Sequence, residues 1–106
     1  MRVAAVQMVS GHEVAANQAQ AQSLIAEAAA QGAELVVLPE YWCLLGQRDS
    51  DKLALAEEPG SGPLQDFLAA QARAHGVYLV GGTIPLKTAA PDKVFNSSLV
   101  LDPQGA

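Results

Sequence analysis

Glu40 is the residue best placed to do chemistry. It follows a short apolar run, Leu35-Val36-Val37-Leu38, with only Pro39 between. The length of that run, its β-branched residues and the proline after it predict a buried strand. In sheets with parallel strands, ligands gather beyond the carboxyl ends of the strands. A carboxylate at that point can act as a general base. Tyr41, Trp42, Leu44 and Leu45 come next. Tyr41 and Trp42 are expected to wall a substrate pocket, desolvating the carboxylate and making it a better base near neutral pH. The plainer alternative is a solvated, idle loop glutamate.

Other reactive residues read more simply. Cys43 lies three positions beyond Glu40, and a base near a thiol suggests a nucleophile pair. However, no histidine is close in sequence, and a thiol between Trp42 and Leu44 reads as a small apolar filler. His12 and His75 fall at helix ends, too far apart for a metal site, and no metal is expected. Gly81-Gly82 suits a close backbone approach, but neither a GxGxxG nor a GxxxxGK pattern is present. Asn96-Ser97-Ser98 matches a glycosylation acceptor but falls inside a predicted strand. It reads as structural, with Asn96 bonding to nearby backbone. Glu57-Glu58 reads as a solvated charge pair.

These residues need a scaffold, and the pattern supplies an α/β one. Residues 2–9 are apolar on both alternating faces and predict a strand buried on both sides. A helix is predicted from 13 to 31, with Ser10 or the Gly11-His12 turn capping it and Glu13 in its first turn. Ala21, Leu24, Ile25 and Ala28 form its apolar stripe, and Gly32 stops it. Strand, helix and the strand at 35–38 make a βαβ unit with parallel strands. Residues 39–60 form a long irregular stretch, a length that is usually functional in a compact domain, with one helical turn over 52–57. A second helix is predicted over 63–75, with Pro63 in its first turn and Gly76 after it. Strands at 77–82 and 94–101, joined by a loop, read as an antiparallel hairpin.

Composition removes several function classes. The chain has 106 residues, half of them hydrophobic, and a net charge of −5. Its six basic residues are scattered, so no basic stripe exists for nucleic acid or an anionic membrane surface. No apolar run approaches the roughly 20 residues of a transmembrane helix. The apolar start is too short for a signal peptide, and one cysteine excludes an internal disulfide framework. A reducing cytoplasm is the expected compartment. The sequence stops on the turn Asp102-Pro103-Gln104-Gly105 directly after a strand, and reads as the front part of a larger domain.

Taken together, the segments RVAAVQM, the Ala-rich helix with Asn17, QGAELVVLPE, GPLQDFLAAQARAHGVYLVGGTIPL and KVFNSSLVLDPQG resemble the nitrilase (carbon-nitrogen hydrolase) superfamily. The likeness covers essentially the whole chain, and LVVLPE is its most specific part. The YWCLLG, GSGPLQ and GGTIPL segments look closest to the branch of omega-amidases and deaminated-glutathione amidases. The resemblance implies the N-terminal portion of a single, incomplete domain over 1–106. Its fold would be an α-β-β-α sandwich, with a mixed sheet and helices on one face. It also implies a Glu-Lys-Cys triad acting on the amide or nitrile of a small molecule. The thiolate attacks carbon, the glutamate serves as general base, the lysine stabilises the tetrahedral intermediate, and a thioester acyl-enzyme forms. No metal or organic cofactor is implied. The full-length protein would be a homo-oligomer.

Only Glu40 matches a catalytic position of that family. The family's lysine lies in a segment resembling YDKIHLF just after the DPQG turn, and its nucleophile lies further on. Lys93 and Cys43 align with neither. The isolated chain is therefore expected to be inactive. The competing reading is a non-catalytic binding or interaction fragment of the same fold. What the reading frame encodes after Ala106 separates the two.

Overall fold

A computed structural model describes residues 1–46, 48 and 50–106. In chain order the elements are β1 (Val3–Ala5), α1 (Val14–Ala30), β2 (Leu35–Val37), α2 (Ser50–Leu55), α3 (Pro63–His75), β3 (Tyr78–Val80), β4 (Ile84–Lys87), β5 (Val94–Ser97) and β6 (Val100–Leu101). The mixed α/β class and the βαβ opening are as expected. Strands β1, β2 and β3 are parallel neighbours, and β6 adds to β3 antiparallel, giving the order β1-β2-β3-β6.

Helices α1 and α3 cover one face of this sheet. Alternation along the strands turns Ala4, Val36, Leu79 and Leu101 toward them. Val36 and Leu79 are fully buried, with Ala21 and Ile25 of α1 and Leu64, Leu68 and Ala72 of α3. The opposite face carries Val3, Leu35 and Tyr78 in one row, and Ala5, Val37, Val80 and Val100 in the next. Val3, Tyr78 and Val100 are exposed there.

The helices match their predicted spans closely. α3 runs from Pro63 to His75 and ends at Gly76 in the left-handed conformation, φ 61°. α1 begins one residue late: Glu13 is its N-cap rather than part of its first turn, and no side chain caps it. The short helical turn in the long loop is α2, starting at Ser50 instead of 52.

The predicted strand over 94–101 is two strands. The chain leaves the main sheet at Gly81, whose N–H donates to Leu99 O at 2.8 Å. It then turns at Gly82, φ 59°. Strands β4 and β5 pair with each other as a separate antiparallel ribbon, Ile84 opposite Ser97 and Lys87 opposite Val94. The chain returns through Ser98 and Leu99 to β6. The expected loop over 83–93 therefore contains β4. The double glycine lets the ribbon bend away, and the period of the strand pattern is blind to such a bend.

Candidate active site

The site is built outward from the end of β2. Leu38 N–H still donates to Val80 O at 2.9 Å, so the ladder runs one residue past Val37. Pro39 has no N–H to continue it. Glu40 comes next and its side chain is exposed.

The backbone around Glu40 is held on both sides. Tyr41 has φ 52°, a left-handed conformation that costs a bulky residue of order 1 kcal/mol and persists only when surroundings over-determine it. Those surroundings are identifiable. Tyr41 N–H donates to Thr83 Oγ1 at 2.9 Å. The Pro39 carbonyl packs against Gly82, where any Cβ would run into that carbonyl oxygen and into the Trp42 ring. Trp42 Nε1–H donates to Gly81 O at 2.8 Å, and its ring stacks on Phe67 with centroids 5.4 Å apart.

On the other side, the loop is tied to the segment before α1. Ser10 Oγ–H donates to Trp42 O at 2.9 Å, and Leu45 N–H donates to Gly11 O at 2.9 Å. The buried Asn17 joins the two segments. Its Nδ2 donates to Gly11 O and to Cys43 O, both at 2.8 Å, and its Oδ1 accepts from Gly11 N–H at 2.9 Å. Asn17 reads in the sequence as one more polar residue on α1, with no local sign that it faces inward.

Trp42 was expected on the pocket wall, but it has no exposed surface. The reversal of the chain at Tyr41 sends the indole inward, where stacking and the bond to Gly81 satisfy it. Tyr41 keeps an open position and Glu40 faces solvent, so Trp42 does not desolvate the carboxylate. Cys43 is buried, as a filler should be. Its Sγ lies 3.9 Å from Thr83 O, and burial pushes its thiol up to about 11. A neutral, enclosed thiol is a poor nucleophile.

Two acidic and polar residues take unexpected roles. Glu57 is buried, not solvated. Its carboxylate accepts from Leu64 N–H at 2.6 Å, Gln65 N–H at 3.2 Å and Gln65 Nε2 at 3.1 Å. Gly62, the N-cap of α3, has no side chain to do this, so a carboxylate from the preceding loop takes the orphan N–H groups and complements the helix dipole. Among the described residues the Asn96 side chain bonds to no nearby backbone; its Nδ2 donates to Tyr41 Oη at 2.9 Å, across 55 positions. Lys52 Nζ donates to the same oxygen at 2.9 Å. These two bonds, Lys52 first, hold the Tyr41 phenol below its ordinary pKa. Lys52 gave no sequence signal because the approach of α2 to this turn is wholly tertiary. Among the described residues, no group of His, Cys, Asp and Glu could hold a metal ion, and no helix is long and apolar enough to cross a membrane.

Comparison with known proteins agrees with this fold. The profile of the carbon-nitrogen hydrolase family matches residues 2–106. The chain is 36% identical to an omega-amidase of Danio rerio over 104 residues, covering 98% of this chain and 36% of that protein. It is 35% identical to a deaminated glutathione amidase of Yersinia enterocolitica, covering 97% of this chain and 36% of that protein. Among solved structures, the C. elegans NitFhit protein superposes with a TM-score of 0.85 at 25% identity, over 98% of this chain and 25% of that one. Nit3 of Saccharomyces cerevisiae, a nitrilase-superfamily member, gives 0.79 at 27% identity, over 92% of this chain and 37% of that one. The chain spans about a third of the length of the curated relatives it matches. The matched profile, the identities to these relatives and the shared fold place this chain in the carbon-nitrogen hydrolase family.

Proposed function

We propose that this chain is the N-terminal portion of an amide- or nitrile-hydrolysing enzyme, with Glu40 as its general base. The observation that carries the reading is the mounting of Glu40. An exposed carboxylate sits just past the carboxyl end of a parallel strand, on a left-handed turn pinned by Thr83, Gly82 and the Trp42–Gly81 bond. A free loop glutamate would need no such mounting. The names of the relatives, an omega-amidase and a deaminated glutathione amidase, favour an amide of a small molecule.

In this reading Glu40 takes the proton of a thiol supplied by a later part of the protein. The thiolate attacks the amide carbon, and a lysine, also supplied later, stabilises the oxyanion. Glu40 returns that proton to the leaving nitrogen, so that ammonia or an amine departs, and the carboxylate, ionised again, then activates the water that releases the acid from the thioester. The reading requires neither metal nor organic cofactor. It takes the working protein as a cytoplasmic homo-oligomer and Tyr41 as a wall of the substrate pocket. Cys43 takes no part, since its thiol is buried and un-ionised. The 106-residue chain alone should release no ammonia from short amides, because a base without its nucleophile cannot form the acyl-enzyme. The enzyme from the complete reading frame should release it, and Glu40→Gln should abolish turnover while leaving the fold intact. Ammonia release by the isolated chain, lost on Glu40→Gln, would overturn the reading.

A further inference from the structure

The direction of the Glu40 carboxylate rests on its backbone. Among the described residues no hydrogen bond or ion pair is made to that carboxylate. On one side the backbone is fixed by β2 and Pro39. On the other it runs into Tyr41 at φ 52°, a conformation that persists only where the surroundings impose it. A general base works at full rate only when held within about 0.5 Å and 10–20° of its productive geometry. Whatever imposes the Tyr41 conformation therefore imposes the aim of Glu40.

Thr83 Oγ1 accepts the Tyr41 N–H and fixes one end of the residue. The far end is fixed by two other elements. Lys52 Nζ of α2 and Asn96 Nδ2 of β5 each donate to Tyr41 Oη at 2.9 Å. The Lys52 ammonium also lies 4.3 Å from the ring centroid, within cation–π range. All three anchors belong to one unit. Thr83 leads into β4, and Asn96 stands opposite Pro85 on the paired strand. α2 is stitched to the same ribbon just past its end: Glu57 N–H donates to Pro85 O at 3.2 Å, and Lys87 N–H donates to Glu57 O at 2.8 Å. The Glu57 carboxylate is committed to the start of α3. Lys52 thus reaches Tyr41 from a support that is anchored without the turn. A half-exposed contact of this kind adds little to global stability, so its removal disturbs the turn and not the fold.

We propose that Lys52, with Asn96 beside it, is a positioning residue for Glu40. The pair holds Tyr41 in its left-handed conformation from the β4–β5 ribbon and so sets the direction of the carboxylate. This rests on the reading of Glu40 as the base of an amidase. Lys52 acts through Tyr41 and not on the substrate, so its loss falls on kcat rather than on KM.

The test uses the enzyme from the complete reading frame and a short, uncharged amide. Lys52→Met should lower kcat about 10-fold, the scale of a modest misplacement of a reacting group, with KM and melting temperature close to wild type. Lys52→Arg should restore most of the rate. Tyr41→Phe removes the same bond, so the double variant should lose no more than either single one. An unchanged kcat, a raised KM with kcat intact, or losses that multiply in the double variant would overturn the proposal. In parallel, NMR follows the intraresidue amide-to-Hα NOE of Tyr41, which is strong in a left-handed backbone. A weaker NOE in Lys52→Met supports the clamp even if no amide is hydrolysed, an outcome that would count against the amidase reading alone. An NOE that Lys52→Met leaves unchanged overturns the clamp whatever the kinetics.

Discussion

Gly82 and the Pro39 carbonyl are packed so closely that the turn carrying Glu40 exists only because residue 82 has no side chain. Gly82 also sits at φ 59°, where an L-residue is strained. Gly82→Ala adds a methyl group against backbone and against the Trp42 ring. The expected cost is about 2–4 kcal/mol, the range for strain combined with overpacking. A denaturant melt reads it, and a loss below 1 kcal/mol would show that the turn can relax away from β3.

Asn17 makes three hydrogen bonds to two backbone segments. Asn17→Ala leaves Gly11 N–H and the Gly11 and Cys43 carbonyls without that partner. A destabilisation of about 2–3 kcal/mol is expected. Hydrogen exchange should quicken in residues 10–12 and 41–45 before it quickens in α3. Uniform quickening would indicate that Asn17 supports the whole core rather than this loop.

The buried Cys43 thiol should be inert in the folded chain. Labelling by a thiol-reactive disulfide at pH 8 should be at least ~100-fold slower than in denaturant, given both burial and the raised pKa. The linkage has a definite sign. The folded value, about 11, lies above the unfolded one, so folding is favoured fully below the unfolded value. That contribution is lost as pH rises from about 9 toward 11. A Cys43→Ala chain should lose less stability over that window than the wild type does. Equal losses in the two chains would remove Cys43 as the cause.

The sheet face opposite the helices is apolar and open, with Val3 of β1, Tyr78 of β3 and Val100 of β6 exposed on it. Contiguous apolar surface above a few hundred Å2 promotes association. The 106-residue chain should self-associate with concentration in sedimentation experiments, and Val100→Lys with Val3→Lys should shift it toward monomer. A wild-type chain that stays monomeric at about 100 μM would contradict this.

Much of the fold was legible because its signals are local. Pro63 and Gly76 bracket α3, Gly32 closes the turn after α1, and the run 35–38 has the length and branching of a buried strand. The position of Glu40 followed from that strand and from Pro39. Failures share one cause: partners far apart in sequence. The inward turn of Trp42 depends on Tyr41 adopting a left-handed backbone against Thr83, 42 positions away. The capping of α3 by Glu57 depends on a loop crossing β4, where Glu57 N–H donates to Pro85 O at 3.2 Å. The meeting of Lys52, Asn96 and Tyr41 needs α2 and β5 to be docked first. One hint was available for Glu57: a helix opening with Gly62 and Pro63 has no side-chain cap of its own and requires an acceptor from elsewhere.

The most direct test of the central claim is steady-state ammonia release from a panel of short amides by the enzyme of the complete reading frame, wild type against Glu40→Gln. Thermal melts of both would run alongside. The account predicts turnover of at least one amide in the wild type and a loss in kcat of at least ~1000-fold in Glu40→Gln, with the melting temperature preserved, as expected when a general base of a covalent mechanism is removed. A Glu40→Gln enzyme that keeps its fold and hydrolyses that amide within a few-fold of the wild-type rate would contradict it.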